Sequence, residues 1–225
     1  MRLLLVVASS LCVSASALAW IAPSLVSSEA RACFQTARQD ADQRRFQAAL
    51  ARFESLILPK PVSVGVDYAS IPAGATGFVE GVSIGVDIWD AYLEGSPFQI
   101  HDGKGPQVTV RFVDAVPGGA DLQGLIEARH EYAWSKNTHQ SSLSATLYIS
   151  SRVGSEFLSR NQVAQIVAHE LGHLLGLSDT NDAEALMGPF NPFKPVMSPT
   201  REELAAIRGF RDQVRTEIAR IQRLL

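Results

Sequence analysis

The chain has 225 residues, of which 46% are hydrophobic, and its 20 basic and 23 acidic side chains give a formal net charge of −3 at pH 7. This length and composition suit a globular protein with one sizeable core. The small negative charge argues against nucleic-acid binding and against a polybasic membrane-binding surface.

The first 19 residues are typical of a secretory signal peptide. A basic start at Met1–Arg2 precedes an apolar stretch that runs from Leu3 to Ala19. The Ala-Leu-Ala end of this stretch fits cleavage after Ala19, so we expect a secreted protein, extracellular or periplasmic, without stable membrane association afterwards. A retained membrane anchor is the alternative, but the stretch contains serines and is short for a span of about 20 residues.

Cysteines are scarce in this chain. The two cysteines are Cys12 and Cys33, and cleavage after Ala19 removes the first. The remaining thiol cannot form an internal disulfide, so stability must come from the core. We interpret Cys33 as a packed or intermolecular thiol.

Residues 20–58 are predicted to be a helical segment. Apolar residues recur every three to five positions from Ser28 to Ile57, which predicts one long amphipathic helix. This helix is either a removable propeptide or a permanently docked part of the fold. Pro59-Lys60-Pro61 then marks the start of the main domain, residues 59–225.

The first half of the main domain is predicted to contain three strands and one helix. The pattern indicates strands at Val62–Val66, Gln107–Val113 and Ala145–Ser150, and a helix near Val79–Leu93. The region Asp121–Ser144 has no clear pattern. It contains His130 and His139, which we interpret as surface histidines.

The run His169-Glu170-Leu171-Gly172-His173 is the most informative part of the chain. Histidines four residues apart project from one face of a helix, where their neutral nitrogens can bind one Zn²⁺. Glu170 can then act on a metal-activated water. The alternative is a buried amphipathic helix whose histidines are satisfied otherwise.

The residues around this run support a helix with a sharp exit. Ser159 or Asn161 can cap its first turn, and Gly176 suits a left-handed end that turns the chain back toward a metal. An apolar stripe should face away from the histidines, and it consists of Val163, Ile166, Val167, Leu171 and Leu174.

The spacing His-Glu-x-x-His-x-x-Gly, followed by a methionine turn, resembles the metzincin metalloproteases. Ala185-Leu186-Met187-Gly188-Pro189 is similar to the Ala-Leu-Met-Tyr-Pro turn of the matrixin (peptidase M10-type) branch. The likeness spans about residues 62–212. It implies an α+β fold with a twisted mixed sheet, an antiparallel edge strand, an active-site helix, a methionine turn and a C-terminal helix. Met187 would be an apolar floor beneath the metal.

The chain departs from matrixins at the third metal ligand. Matrixins carry histidine there, whereas this chain has Asp179, eight residues before Met187. Aspartate is similar to the snapalysin-like branch, so the resemblance implies His169, His173 and Asp179 as zinc ligands. Alternatively, Asp179 is only a turn residue, and Asp182 or a more distant glutamate completes the site.

Other ligand assignments fit the residues less well. Glu202 and Glu203 lie in the first turn of a helix opened by Thr200, where the spacing predicts a capping box. Matrixin propeptides cap zinc with a cysteine in a Pro-Arg-Cys-Gly segment, which Cys33 lacks. The cluster of His and Asp that holds structural zinc and calcium in matrixins has no counterpart in Asp121–Ser144.

The sequence thus predicts a secreted zinc endopeptidase that hydrolyses peptide bonds with a metal-activated water and Glu170 as general base. A catalytically silent zinc-stabilised binding domain is the alternative, but a purely structural site needs no general base. Extended peptide substrate is expected along an exposed edge strand at Ala145–Ser150. The segment Pro189–Phe193 predicts an apolar pocket for the residue after the cut, or else a structural wall.

Overall fold

A computed structural model of the protein describes residues 24–58, 60–103, 105–119 and 122–225. The predicted signal peptide, residues 1–19, lies outside these ranges, as does Cys12. Within the described part of the chain, no helix is both long enough and apolar enough to cross a membrane.

The described chain contains five α-helices and seven strands. The helices are α1 (Ser28–Asp42), α2 (Phe46–Ile57), α3 (Phe78–Asp90), α4 (Arg160–Leu174) and α5 (Arg201–Gln222). The strands are β1 (Val62–Val66), β2 (Phe98–Ile100), β3 (Val108–Val113), β4 (Gly124–Trp134), β5 (His139–Ser150), β6 (Arg152–Val153) and β7 (Glu156–Phe157). Strands β2 to β7 all lie between α3 and α4.

Five strands form one mixed sheet in the order β2-β1-β3-β5-β4. The pairs β1–β2, β1–β3 and β3–β5 are parallel, whereas β4 runs antiparallel to β5 at the edge of the sheet. The register pairs Val108 with Ala145 and Gly124 with Ile149. The predicted α+β class, with a mixed sheet and an antiparallel edge strand, is confirmed.

The prediction that Ala145–Ser150 is an exposed edge is wrong. These residues form the second half of β5, which lies between β3 and β4. The edge strand is β4, which comes from the region without a clear pattern. Its side chains are half-buried or exposed along the whole strand, so the sequence shows no alternation there.

The helices cover the apolar face of the sheet. Alternate residues of β3 and β5 are buried on this face, including Val108, Val110, Leu147 and Ile149. Helix α3 packs near β1 and β2, α4 packs on β4 and β5, and α2 covers another part of the β4–β5 pair. The metal-binding motif on α4 therefore lies over the sheet edge formed by β4.

Two glycines let α3 approach α4 closely. A Cβ atom at Gly85 would lie 2.6 Å from the Val167 Cβ and 2.7 Å from the Ala164 carbonyl oxygen. Gly81, one turn earlier, meets Val163 in the same way. The Trp89 indole extends the contact by donating a 2.8 Å hydrogen bond to the Ala168 carbonyl. These contacts fix the position of α4 against the core.

The prediction of one helix from Ser28 to Ile57 is wrong, because the chain reverses at Gln43–Arg45 between α1 and α2. Arg44 has a positive φ of 58° there. The buried Asp40 carboxylate accepts hydrogen bonds from Arg45 and Arg52, which hold the two helices side by side. No glycine or proline marks the break, and so the helical period continues across it.

We expect Gly85→Ala to lower the free energy of unfolding by about 1–3 kcal/mol, because the added methyl group would overpack the α3–α4 contact. Denaturant unfolding measures this change. The matched control is Gly209→Ala on α5, where nothing lies within 4 Å of an added Cβ. There the same change should stabilise by about 0.5–1 kcal/mol. Equal effects at the two positions would contradict the close approach.

Candidate metal centre

Helix α4 begins at a capping box. The Ser159 hydroxyl accepts a hydrogen bond from the Gln162 amide, and the Gln162 side chain accepts one from the Ser159 amide at 2.6 Å. Of the two caps predicted, Ser159 is therefore the one used. The predicted apolar stripe is buried from Val163 to Leu171, and Leu174 is half-buried.

Both histidines of α4 are oriented by carbonyl groups. The His169 Nδ1 lies 2.9 Å from the Leu186 carbonyl oxygen, and the His173 Nδ1 lies 3.0 Å from that of Leu177. Because a carbonyl can only accept, each Nδ1 carries a proton, and each Nε2 is the nitrogen that can bind a metal once it is deprotonated. Outer hydrogen bonds of this kind orient histidines that bind a metal.

Asp179 completes a group of three side chains that could bind a metal. Its Oδ1 lies 3.0 Å from the His169 Nε2 and 3.6 Å from the His173 Nε2. Zinc bonds of about 2.0–2.2 Å in tetrahedral geometry place ligand atoms about 3.3 Å apart, so this donor set fits zinc and leaves one position open. In the described residues, this is the only such group of His, Cys, Asp or Glu.

Asp182 does not join this group. Its carboxylate accepts a 3.0 Å hydrogen bond from the Glu184 amide within the same loop. The structure therefore brings Asp179, rather than Asp182, to the histidines.

Burial and charge shift the pKa values of the central residues in different directions. Burial raises the pKa of the Glu170 carboxyl, which is only 6% exposed. The hydrogen bond from His169 holds the pKa of Asp179 below its ordinary value. Burial alone would lower the pKa of His169, but the hydrogen bond to Asp179 and the nearby Glu170 charge raise it overall.

Met187 is fully buried against α4. A Cβ atom at Gly172 would overlap the Met187 sulfur, so the turn packs here on bare backbone. A Cβ at Gly188 would likewise overlap the Asp182 carbonyl. This contact explains why glycine stands where the similar Ala-Leu-Met-Tyr-Pro turn has tyrosine.

Glu203 supports the methionine turn, a role that the sequence did not indicate. Its buried carboxylate accepts a 2.7 Å hydrogen bond from the Met187 amide and a longer one from the Leu186 amide. It also forms the predicted capping box with Thr200. Because the capping box already accounted for this glutamate, no signal remained for the second role.

A family model described as Peptidase_M10: Matrixin matches residues 86–208, more than half of the chain. The chain belongs to the matrixin family. Matrixins are zinc-dependent metallopeptidases, so the protein is a hydrolase that acts on peptide bonds. A comparison with individual curated proteins gives no match.

The start of β4 crosses directly over the Glu170 carboxylate of this matrixin. A Cβ atom at Gly124 would lie 2.5 Å from the Glu170 Oε1 and 2.6 Å from the Ile166 Cγ2. A side chain at this position would therefore have to displace Glu170 and Ile166 or move β4. The sequence did not mark Gly124, because the contact depends on how β4 pairs at the sheet edge.

A cleft of about 580 Å³ opens beside His169 and Glu170. Its lining includes Val153, Phe190 and Pro192, so most of the predicted wall lies here as expected. Asn191 and Phe193 are the exceptions, because neither lines the cleft, and Phe193 is 96% exposed.

Gln165 adds a polar group to this apolar cleft. The residue is only 1% exposed, and its Oε1 has no hydrogen-bond partner among the described residues. Gln162, one turn earlier on the same helix edge, donates a 2.8 Å hydrogen bond to the Pro192 carbonyl. Helix α4 therefore contributes both a lining residue and a support for the wall.

The other titratable residues considered from the sequence lie outside the metal centre. The His139 ring contacts Gln47 and Glu54 of α2 and is half-buried, so the surface interpretation was too simple for this residue. His130 is exposed and stacks on Tyr132. The Cys33 sulfur packs 3.8 Å from the Tyr132 hydroxyl, away from the three metal-binding side chains.

We expect Gly124→Ala to lower kcat/KM by about 100-fold, because the methyl group must displace Glu170 or lift β4 by a fraction of an ångström or more. Bound zinc should be retained. Peptide cleavage kinetics measure kcat/KM, and metal analysis measures the zinc content. Gly119→Ala is the control, since its Cβ would meet nothing closer than 3.9 Å. Full activity in Gly124→Ala would contradict the contact.

Proposed function

We propose that this matrixin is a secreted zinc endopeptidase in which His169, His173 and Asp179 bind the metal and Glu170 is the general base. The observation that carries the proposal is the approach of the three ligand atoms to within 4.8 Å of one another beside a buried carboxylate. Secretion is proposed from the signal-peptide pattern of residues 1–19 alone.

In the proposed reaction, the metal and Glu170 have different roles. Bound zinc supplies a Lewis acid that polarises a peptide carbonyl and makes water more acidic. Glu170 accepts a proton from the attacking water and delivers it to the leaving nitrogen. Burial raises the pKa of Glu170, which makes its carboxylate a stronger base than an exposed glutamate.

The nature of the third ligand affects the strength of this chemistry. Asp179 is anionic, whereas a third histidine would be neutral. An anionic ligand leaves the metal a weaker Lewis acid than three neutral ligands would. We therefore expect less acidification of water here than at a three-histidine site.

Substrate is proposed to bind in extended form along β4 instead of along Ala145–Ser150. An edge strand has unpaired N–H and C=O groups that can pair with a peptide backbone. Gly124, Leu125 and Ile126 line a second cleft together with His169 and Glu170, so this edge runs beside the metal ligands.

The residue after the scissile bond is proposed to enter the larger cleft. Val153, Phe190 and Pro192 make its walls largely apolar, which favours apolar side chains. The Gln165 amide is positioned to hydrogen-bond the polar end of a long side chain. Backbone pairing along β4 makes few demands on sequence, so selectivity should come mainly from this cleft.

We expect Glu170→Gln to keep the fold and the zinc but to lose peptidase activity by roughly 100- to 10,000-fold, because an amide cannot accept the proton. Casein cleavage, with and without a chelator, and metal content measure the two properties. Substantial chelator-sensitive turnover in a zinc-replete variant would refute the assigned role of Glu170.

Loss of a hydrogen-bond partner of a metal ligand weakens metal binding by roughly 10- to 100-fold. We expect Asp179→Ala to weaken zinc binding by more than this, because the ligand itself is lost. Asp179→His should restore binding at least partly. Competition with a chromogenic chelator measures the affinities. Asp182→Ala is the control and should bind zinc like the unmodified protein. Loss of zinc only in Asp182→Ala would show that Asp179 is not the ligand.

A further inference from the structure

We propose that Leu25–Ser27, here called the N-terminal brace, is a positioning element for the metal centre and is retained in the active enzyme. The inference rests on the metal ligands of the proposed function. It concerns the segment that the sequence left open as either a removable propeptide or a docked part of the fold.

The brace pairs with the chain that leaves α4. Val26 forms an antiparallel bridge with Leu177, and both residues are only 1% exposed. The Ser27 amide donates a 2.8 Å hydrogen bond to the Gly176 carbonyl, and the Ser178 amide donates a 2.9 Å hydrogen bond to the Leu25 carbonyl. The brace therefore acts as a short strand beside residues 176–178.

Residues 176–178 connect two of the proposed ligands, His173 and Asp179. The Leu177 amide donates a 3.0 Å hydrogen bond to the Gly172 carbonyl, and the Leu177 carbonyl accepts from the His173 Nδ1 at 3.0 Å. Leu177 is thus held by α4 on one side and by the brace on the other. The Leu177 carbonyl orients the proposed ligand His173. The direction of the chain at Leu177 also positions the proposed ligand Asp179, which lies two residues later.

This connection needs a restraint from outside. It begins at Gly176, whose φ of 91° is one that glycine adopts readily, and it ends at the exposed Asp179. Short glycine-containing loops have many accessible conformations, and each one lost on metal binding costs free energy. Pairing with the brace removes these conformations before the metal arrives.

The brace is itself anchored through α1. The Ser27 hydroxyl caps α1 by accepting from the Ala30 amide at 3.1 Å, and the Arg31 guanidinium donates a 2.6 Å hydrogen bond to the Val26 carbonyl. Phe34 packs edge-to-face on Phe53 of α2, with ring centroids 5.4 Å apart. The helical pair α1–α2 thus ties the brace to the common hydrophobic core.

Removal of this segment would have two consequences. Cleavage near Leu58 would take away the brace, and it would uncover core side chains that α1 and α2 now cover, among them Phe210 of α5. A removable propeptide should leave a complete ligand set and an intact core behind. The contacts of Leu25–Ser27 and of α1 and α2 instead show that this segment supports the proposed ligands and forms part of the core.

The closing experiment compares two substitutions at Ser27 in the full chain. Ser27 has a φ of −63°, which proline adopts without strain. Ser27→Pro and Ser27→Ala both remove the hydroxyl cap, but only proline also removes the N–H that bonds to Gly176. We expect zinc affinity, measured by chelator competition, to be about 10-fold weaker in Ser27→Pro than in Ser27→Ala.

A second measurement uses the unmodified protein, in case Ser27→Pro does not fold. If the brace and the metal site are coupled, reciprocity requires zinc to stabilise the brace as much as the brace stabilises zinc binding. Hydrogen exchange at the Ser27 and Ser178 amides should therefore slow by about 10-fold on adding zinc. The Ser135 amide, bonded to the Thr138 carbonyl in the distant β4–β5 turn, should be unaffected.

The outcomes separate this inference from the proposed function. If the unmodified protein binds no zinc, the proposed function fails. If it binds zinc and the two Ser27 variants have equal zinc affinity, only the proposed role of the brace is refuted. The same holds if hydrogen exchange at Ser27 and Ser178 is unchanged by zinc. An active enzyme whose measured mass places its first residue near Leu58 would overturn the brace as well.

Discussion

In the proposed metal site, two hydrogen bonds from histidine Nδ1 atoms to backbone carbonyls hold the directions of both imidazole rings. Without them, the imidazoles of His169 and His173 could rotate, and their Nε2 atoms would not converge. The carbonyls belong to Leu186 in the methionine turn and Leu177 after α4. Each of these segments needs its own support, so the metal centre depends on elements far from α4 in sequence, including the buried Glu203 of α5.

Close backbone approaches place α4 among these supports. Gly85 allows α3 to pack closely on α4, and Gly172 allows the Met187 sulfur to contact the α4 backbone. Gly124 allows the edge strand β4 to pass over Glu170. At each position an ideal Cβ would overlap a neighbouring residue. Close contacts at these glycines therefore locate the helix on three sides, within a closely packed core.

Sequence reasoning succeeded where the structural signal is local. The cap at Ser159, the histidine spacing and the left-handed exit at Gly176 each depend on residues within one or two helical turns, and all lie as predicted. It failed where the outcome depends on pairing across the fold. The edge position of β4 follows from its pairing with β5, and the break after Asp42 depends on arginines that reach the Asp40 carboxylate.

The two departures from the matrixin pattern, Asp179 and Gly188, lie close together in the same loop region. An aspartate side chain is shorter than histidine, so the loop that carries Asp179 must lie closer to α4 if its oxygen is to meet both Nε2 atoms. The brace bonds the chain just before Asp179, and the Thr180 amide donates a 2.9 Å hydrogen bond to the Met187 carbonyl just after it. The same tight loop brings the Asp182 carbonyl against Gly188, where no side chain fits. The proposed ligand Asp179 therefore lies in a loop that is held before it by pairing with Leu25–Ser27 and after it by the methionine turn.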